Sequence, residues 1–414
     1  MDPLLPTGAG RASPYERPPR VEAPACSPRR PVCVHRGAGV APGQALAALS
    51  ALEQAYERLI FALGLPEPLP DYGRGGSDAL DLYLARSGGP ELSVGFDEVP
   101  GAFDRAAAFC IAADQAGILL ERAATQCVAE AIALRLDASE TPHSRRGYAT
   151  HLWLAVGAPT ALDLEAIDAA QIFPQTAIAE RELTDGAAGA ALFLEYLETK
   201  RGTAGPGRLA TGLFALAASQ TRGAQWAWNN EPDIFDVLRH SLGNNRVAFG
   251  QLLGSFAIAR AFLGDRDDGS HWPGMEWPGA FGRVRFDWSI PFSTLPRRVA
   301  SLHPIEPTGA FYLWLELDRV PSGAALGVEV EWEHPVPFKW AIVRVGKNGQ
   351  ELSRLDVPYQ EAGTSFEQRV VDLEAAAGLI ILGINVGDTE IDYPFDPDIA
   401  PFEAQACTVY LAKL

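Results

Sequence analysis

The sequence lacks any apolar run as long as the roughly 20 residues of a membrane-spanning helix, which predicts that it has no transmembrane segment. It is also poor in basic residues: 34 Lys and Arg against 52 Asp and Glu give a net charge of −18. Nucleic acids and anionic membranes attract basic surfaces, so this balance argues against both as partners. The 414 residues, 47% hydrophobic and 21% charged, are typical of a soluble globular protein with two to three domains.

The motifs of common hydrolases and nucleotide-binding proteins are missing as well. No HExxH occurs, and none of the seven histidines lies at HxxxH or HxH spacing, so the paired imidazoles of a zinc site are absent. The five cysteines show no CxxC or other zinc-ribbon spacing. G-x-S-x-G is absent, and the Gly-rich stretch GRGGSD contains no lysine, which argues against a serine hydrolase and a P-loop and favours a turn.

The cysteines that are present fall into two local pairs. Cys26 and Cys33 flank a Pro/Arg-rich loop, whereas Cys110 ends an apolar run and Cys127 lies on the predicted helix that follows. We predict the disulfides Cys26–Cys33 and Cys110–Cys127, with Cys407 left over; reduced, mostly buried thiols are the alternative. Each bridge would stabilise the fold by roughly 2–4 kcal/mol and would imply an oxidising compartment.

The first 30 residues are rich in Pro and Arg and lack the apolar region of a secretory signal. We predict a disordered tail over residues 1–30. Together with the predicted disulfides, this start suggests a bacterial protein exported to the periplasm, the cell surface or the medium, with its signal missing from this start. A cytoplasmic protein is the alternative.

Hydrophobic periodicity changes along the chain and divides it into domains. Residues 31–264 combine short strands (PVCVHRG, ALDLYLA, AAFCIAAD) with helices that place apolar residues three and four apart. The helices are predicted at 42–63, 119–136, from Pro142 onward, and at 163–172, 186–200, 206–220, 233–241 and 246–264. A Gly/Pro/Trp linker follows at 265–282. Residues 283–414 contain short alternating strands (FYLWLEL, GVEVEWE, KWAIVRVG, FEQRVVDL, LIILGINVG, CTVYLAKL), typical of an antiparallel β-sandwich. The predicted fold class is α+β.

The order of elements and several loose motifs resemble one known family. CVH in a short strand precedes a long helix that ends ALGLPEPLPD, followed by GRGGSDALDLYL and, at Gly189–Leu197, by the pattern G-x-A-L-F-x-x-Y-L. Over about residues 32–414 the chain is similar to exported bacterial, myxobacterial-type metalloproteases with a gluzincin-like core. That resemblance implies a mainly helical zincin-like domain, an HExxH helix, a second helix that opens E-G-x-A-x-W, and a C-terminal β-sandwich.

Within the segment Glu121–Trp153, where the resemblance places the metal site, the zinc ligands are replaced. One register of the first helix puts Cys127 and Ala131 at the two His positions. The other puts Gln126 and Glu130 there, with Cys127 in place of the Glu that would act as general base. Neither register supplies an imidazole, so the resemblance implies a degenerate metal site.

The third ligand of such a site is also replaced. RRGYAT matches the E-G-x-A pattern at Gly147 and Ala149, so the ligand Glu becomes Arg146. A guanidinium about 4 Å from a divalent ion would repel it by about 8 kcal/mol at an effective dielectric constant of about 20. Arg also stays charged, so it cannot relax by losing a proton. We predict that Arg146 pairs with Glu130 and fills the metal position with an ion pair.

Other titratable side chains near this segment are secondary candidates. His143 in a loop and His151 in a helix could act as ligands, or as bases for Cys127, but a surface or capping role is favoured because paired spacing is absent. Asp137 and Glu140 could form a general acid/base pair, although a solvated loop with a helix N-cap is the favoured interpretation.

Two further groups suggest ligands elsewhere. An acidic stretch near the C-terminus could bind Ca²⁺, with a solvated loop as the favoured alternative. It contains Asp388, Glu390, Asp392, Asp396, Asp398 and Glu403. Trp226, Trp272 and Trp277 lie in predicted loops and could line a groove for peptide or glycan, with inter-domain packing favoured.

The sequence therefore predicts a metalloprotease-like scaffold without its chemistry, a pseudopeptidase that binds a peptide or a protein partner. No cofactor is expected. An active zinc metallopeptidase with unrecognised ligands is the first alternative, and a structural envelope or surface protein is the second.

Overall fold

The computed structural model describes residues 13, 15–19, 22–85, 91–99, 104–178, 188–202, 204–218, 232–359, 363–387 and 404–414. The chain divides into two compact units, the first comprising 1–163, 181–238 and 390–399, and the second 164–180, 239–389 and 400–414. Helices and sheets are both present, so the predicted α+β class is confirmed. Within the described ranges, no helix combines the length and the apolar character needed to cross a membrane.

A five-stranded sheet opens the first unit. Its strands are β1 (Ala25–Cys26), β2 (Val32–Arg36), β3 (Leu80–Ala85), β4 (Leu92–Glu98) and β5 (Ala106–Ala113). The strand order is β1-β2-β3-β5-β4, with a parallel centre and an antiparallel strand at each edge. The sequence predicts β2, β3 and β5 correctly. It misses β1, which has two residues, and β4, in which Gly95 and Asp97 are residue types that are uncommon in strands.

Each predicted helix is confirmed. The helices are α1 (Pro42–Tyr56), α2 (Ile118–Leu136), α3 (Pro142–Val156), α4 (Ala161–Ile172), α5 (Ala188–Arg201), α6 (Arg208–Ala217), α7 (Ile234–Ser241) and α8 (Arg246–Ala261). A π-helical turn over Glu57–Ala62 continues α1. In the first unit, α2 packs against α1, α3 and β5, and α3 packs against α5. These contacts bury the α2 side chains continuously from Arg122 to Leu134, which makes α2 the central helix of the unit.

Two sheets form most of the second unit. Its strands are β6 (Trp288–Pro291), β7 (Arg297–Ala300), β8 (Ala310–Glu316), β9 (Leu326–Trp332), β10 (Phe338–Val345), β11 (Glu351–Asp356), β12 (Ser365–Val370), β13 (Gly378–Asn385) and β14 (Cys407–Lys413). One sheet has the order β11-β10-β13-β8-β6 and the other β12-β9-β14-β7. Alternate residues of both sheets contribute to one hydrophobic core. All six predicted strands are present; β6 pairs with β8 in parallel, unlike the other strand pairs of this unit.

Two predicted boundaries differ from the structure. Part of the predicted tail over 1–30 is built into the sheet, because β1 pairs with β2 and a disulfide joins the paired residues Cys26 and Cys33. The predicted domain boundary at 264 falls inside the second unit, because α8 packs on β10 and β13. The predicted linker 265–282 contains the fully buried Trp272, so it is a packed part of that unit.

The two predicted disulfides are confirmed. Cys26 joins Cys33 over a separation of seven residues, and Cys110 joins Cys127 over 17 residues, which connects β5 to α2. Cys407 on β14 is a free and buried thiol. Burial raises the pKa of this thiol, so it is protonated and unreactive at neutral pH.

Candidate functional site

The candidate site lies between α2 and α3, which form a helical hairpin. The α2 sequence ILLERAATQCVAEAIALRL is rich in Ala and Leu, the strongest helix formers. It ends before Asp137, and α3 begins at Pro142, a residue favoured in the first helical turn. The Thr141 side chain caps α3 by accepting a hydrogen bond from the Ser144 backbone N–H at 3.1 Å.

The structure selects one of the two predicted registers. Gln126 and Glu130, one turn apart on α2, face Thr150 and Arg146, one turn apart on α3. Gln126 Nε2 donates to Thr150 Oγ1 at 3.1 Å, and Arg146 Nε lies 2.5 Å from Glu130 Oε1. The predicted ion pair is therefore confirmed.

In the other register, Cys127 would have to face α3. It does not, because it is bonded to Cys110 on the sheet. A disulfide sulfur is not a free thiolate, so Cys127 cannot act as a nucleophile for a histidine base. The interpretation of Cys127 as a catalytic thiol is wrong.

Both sides of the ion pair are largely shielded from water. The Glu130 side chain is 7% exposed and that of Arg146 is 16% exposed. Arg146 Nη2 also donates to the carbonyl oxygen of Leu92 at 3.2 Å. Leu92 opens β4, the edge strand of the sheet, so Arg146 connects α2, α3 and the sheet edge.

A second guanidinium, that of Arg122, extends the row of buried polar contacts along α2. Arg122 Nε donates to Asp163 Oδ1 at 2.7 Å, and Arg122 Nη1 donates to Glu91 Oε1 at 2.5 Å and to Gln126 Oε1 at 3.2 Å. The sequence interpretation missed Arg122 and Thr150. A signal was present: Arg122, Gln126 and Glu130 recur at four-residue spacing, which places three polar side chains on one side of an otherwise apolar helix.

These residues do not fit a zinc ion. A catalytic zinc site takes three ligands from His, Glu, Asp or Cys, whereas this position offers one amide, one carboxylate and one guanidinium. Arg has no lone pair to donate and repels a cation. Among the residues that the structure describes, no group of three or more His, Cys, Asp or Glu side chains could hold a metal ion.

His151 connects α3 to α5. Its Nδ1 lies 3.0 Å from Glu195 Oε2, and its Nε2 lies 3.6 Å from Glu198 Oε1. Burial alone would lower the pKa of His151, but the two carboxylates outweigh burial and raise it to about 9. The ring is therefore protonated at neutral pH, and an imidazolium cannot bind a metal.

His143, the other histidine of the segment, is buried near the start of α3. Burial lowers the pKa of His143 to about 4, so this ring is neutral at physiological pH. The two histidines thus occupy opposite protonation states within one helix.

Asp137 and Glu140 shape the turn between the two helices. Asp137 Oδ1 accepts hydrogen bonds from the Ser139 and Glu140 backbone N–H groups at 3.2 and 3.1 Å. Glu140 accepts from the backbone N–H groups of Thr141 and Ile234. Both carboxyl groups are fully buried, and burial raises the pKa of each. The prediction of a solvated loop is wrong for these side chains, and neither reaches a surface where it could exchange protons with a substrate.

The remaining ligand candidates receive little support. Trp272 is fully buried and makes an edge contact with the Phe256 ring at 6.0 Å, so it cannot line an open groove. Trp277 is half-buried. Trp226 and the acidic stretch over 388–403 lie outside the described residues.

No family model and no curated protein matches this chain. The crystal structure of PirA is similar over 28% of this chain and 91% of its own, with 12% identity and a TM-score of 0.18. The infectious bursal disease virus VP2 subviral particle is similar over 29% of each chain, with 9% identity and a TM-score of 0.16. Similarities this small carry no argument about fold or function.

Proposed function

We propose that this protein is a non-catalytic, metallopeptidase-like scaffold that binds an extended peptide or a segment of a partner protein. The observation that supports this most directly is the Glu130–Arg146 ion pair. Where the family resemblance requires a carboxylate to bind zinc, Arg146 supplies a positive charge and holds the facing carboxylate. The chain keeps two facing helices and replaces the metal with protein groups.

The edge strand β4 is the proposed binding element. An edge strand offers unpaired backbone groups to which another extended chain can add, and this is a common mode of peptide recognition. Leu92 and Phe96 are four residues apart, so their backbone groups point to the same side, away from β5. Arg146 already donates to Leu92 O on that side, which places the ion pair beside the first residue of β4.

The finer assignments belong to the same proposal. The first unit corresponds to a zincin-like domain of gluzincin type, supported by a mixed sheet with an antiparallel edge strand followed by α2 and α3. The second unit corresponds to a β-sandwich, supported by two sheets around one core. Two disulfides support an exported protein.

Metal content tests the proposal. The purified protein is dialysed against trace zinc and analysed by elemental mass spectrometry, and the variant Gln126→His/Glu130→His/Arg146→Glu is treated identically. We expect no stoichiometric zinc in the wild-type protein and about one zinc per chain in the variant, because the variant places three zinc ligands on facing helix turns.

Two outcomes of the zinc measurements would contradict the proposal, one in the wild-type protein and one in the triple variant. Stoichiometric zinc and chelator-sensitive peptide cleavage in the wild-type protein would overturn the proposal and favour an active metallopeptidase. A folded triple variant without zinc would show that this helix pair is not a degenerate metal site. In that case a structural envelope or surface protein becomes the better interpretation.

A further inference from the structure

Arg17 is surrounded by three carboxylates contributed by distant parts of the chain. Its Nη2 lies 3.0 Å from Asp71 Oδ2 and donates to Asp97 Oδ2 at 2.6 Å. Its Nη1 donates to Tyr83 Oη at 3.2 Å and to Asp81 Oδ2. Asp71 and Asp81 are fully buried, with side chains 1% and 0% exposed.

An aromatic ring completes this site. The Arg17 guanidinium carbon lies 4.7 Å from the centre of the Phe109 ring, a cation–π distance. We call the group Asp71, Asp81, Tyr83, Asp97 and Phe109 the Arg17 pocket. Phe109 alternates along β5 with Cys110, which is bonded to α2, so the pocket lies on the opposite face of the sheet from α2.

The Arg17 pocket is organised by groups other than Arg17. Asp71 accepts hydrogen bonds from the backbone N–H groups of Gly73 and Gly75 at 3.0 and 2.9 Å. Asp81 Oδ1 contacts His35 Nε2 at 2.8 Å. A Cβ atom on Gly75 would lie only 1.5 Å from Asp81 Oδ2, so this position requires glycine. The Gly-rich stretch GRGGSD, which fits no nucleotide-binding motif, therefore forms a wall of the pocket.

The segment that carries Arg17 lies on the protein as an extended peptide ligand would. Ser13 Oγ accepts a hydrogen bond at 3.0 Å from the backbone N–H of Phe96, on the outward side of β4. Tyr15 is 37% exposed and Glu16 is exposed, while Arg17 inserts into the pocket. Pro18 and Pro19 follow and favour an extended backbone.

We infer that the Arg17 pocket is a guanidinium-recognition site that the N-terminal segment occupies in cis, and that it accepts an arginine of another extended polypeptide when that segment leaves. Asp97 keeps a second cation, because Arg74 Nη1 lies 3.0 Å from Asp97 Oδ1. Departure of Arg17 still leaves the buried carboxylates of Asp71 and Asp81 without a guanidinium partner, so the site favours a ligand that brings a positive charge. A planar guanidinium presents five donors in a fixed fork and can lie flat over Phe109, whereas a lysine ammonium presents three donors from one strongly hydrated point charge and has no plane to stack. The inference rests on the proposed function only in its use of the β4 edge; the pocket does not depend on the Glu130–Arg146 site.

A peptide-binding experiment tests the inference. A fluorescently labelled peptide with the sequence of residues 11–19 (RASPYERPP) is titrated into the full-length wild-type protein and the full-length Arg17→Ala variant, and anisotropy is recorded. The attached segment competes in the wild-type protein at an effective concentration near millimolar, so we expect the peptide to bind the variant about a hundredfold more tightly.

Three controls make the result specific. The same peptide with lysine at the position of Arg17 should bind the variant at least about tenfold more weakly. The variant Arg17→Ala/Asp81→Asn should lose most of the binding. Because Arg17→Ala could destabilise the carboxylate cluster, the full-length Arg17→Lys variant, which keeps a cation, provides a second receptor and should also bind the arginine peptide more tightly than the wild-type protein does.

The inference is overturned if both Arg17 variants are folded by circular dichroism and neither binds the arginine peptide, or if the lysine peptide binds equally well. The first result would make Arg17 a permanent structural plug, and the second would make the pocket a cation site that does not select guanidinium. Neither result bears on zinc binding, so this test and the metal test fail independently.

Discussion

The ion pair between Glu130 and Arg146 is the residue-scale feature on which the proposed function rests. Either charge reversal alone, Glu130→Arg or Arg146→Glu, brings two like charges into contact in a shielded environment. We expect each single variant to lower the free energy of unfolding by about 3 kcal/mol. The double reversal restores opposite charges and should recover most of that loss in urea unfolding measurements.

The wild-type protein, the two single variants and the double variant form a double-mutant cycle. The cycle isolates the interaction energy of the pair, because substitutions of residues in contact are not expected to be additive. Losses that simply add in the double variant would mean that the two side chains do not interact. The exposed pair Arg298–Glu331, with side chains 63% and 50% exposed, is a matched control. The same reversals there should change stability by less than about 1 kcal/mol.

Loss of the proton from His151 should lower the stability of the protein at alkaline pH. Its folded-state pKa of about 9 lies above the ordinary value of 6.5, so the favourable contribution is complete below pH 6.5 and is lost as pH rises through 9. The loss should be on the order of 2–3 kcal/mol, because the ring is buried between two carboxylates. Urea unfolding of wild-type protein at pH 6 and pH 9.5 measures it.

The His151→Gln variant should lose this pH dependence and should be less stable at pH 6. His143→Gln is the control, because a pKa of about 4 means that His143 is already neutral throughout that range and cannot contribute to it. An unchanged difference between pH 6 and pH 9.5 in His151→Gln would show that another group is responsible.

At the scale of secondary-structure elements, the bridge between Cys110 and Cys127 is expected to be the stronger of the two disulfides. It closes a separation of 17 residues and joins β5 to α2, whereas Cys26–Cys33 closes seven residues. By loop-closure entropy, Cys110→Ala/Cys127→Ala should lose about 3 kcal/mol and Cys26→Ala/Cys33→Ala about 2 kcal/mol. Thermal unfolding of both double variants gives the order, and a larger loss at the shorter loop would contradict it.

Hydrophobic patterning predicted all of the helices and most of the strands, and two of the strands that it missed show why it fails. The alternating strand β9 and the helix α8 are found where the sequence places them. The strand β11 was missed because it has no fully buried position and therefore no apolar face. The strand β4 was missed because Gly95 and Asp97, residue types that are depleted in strands, interrupt its apolar residues.

Only part of the candidate site could be predicted from the sequence. Local geometry was sufficient for Cys110–Cys127, because a strand and the following helix must pack together. The choice between the two registers of α2 needed the direction of each side chain, which spacing alone leaves open for a helix buried on nearly all sides. The Arg17 pocket was not predicted, because Arg17 and Asp97 are 80 residues apart and no periodic pattern connects them.

At the scale of the whole molecule, the two units are discontinuous in sequence. The segment after α4 belongs to the second unit because it is hydrogen-bonded there: Ala310 N–H donates to Pro174 O at 2.7 Å, and Ile178 N–H donates to Thr308 Oγ1 at 2.7 Å. These contacts bridge about 130 residues of sequence. Domain prediction from composition assumes that each domain is one continuous stretch, so it placed continuous domains at 31–264 and 283–414 on either side of a linker at 265–282.

The two disulfides and the buried thiol predict how many of the five cysteines react under each condition. Protein folded under oxidising conditions should show no reactive thiol while native, because Cys407 is 2% exposed and burial raises its pKa. Denaturation without reduction should release one thiol, and denaturation with reduction should release five. Alkylation followed by intact-mass measurement counts them. Five thiols after denaturation alone would exclude both disulfides and remove the support that they give to export.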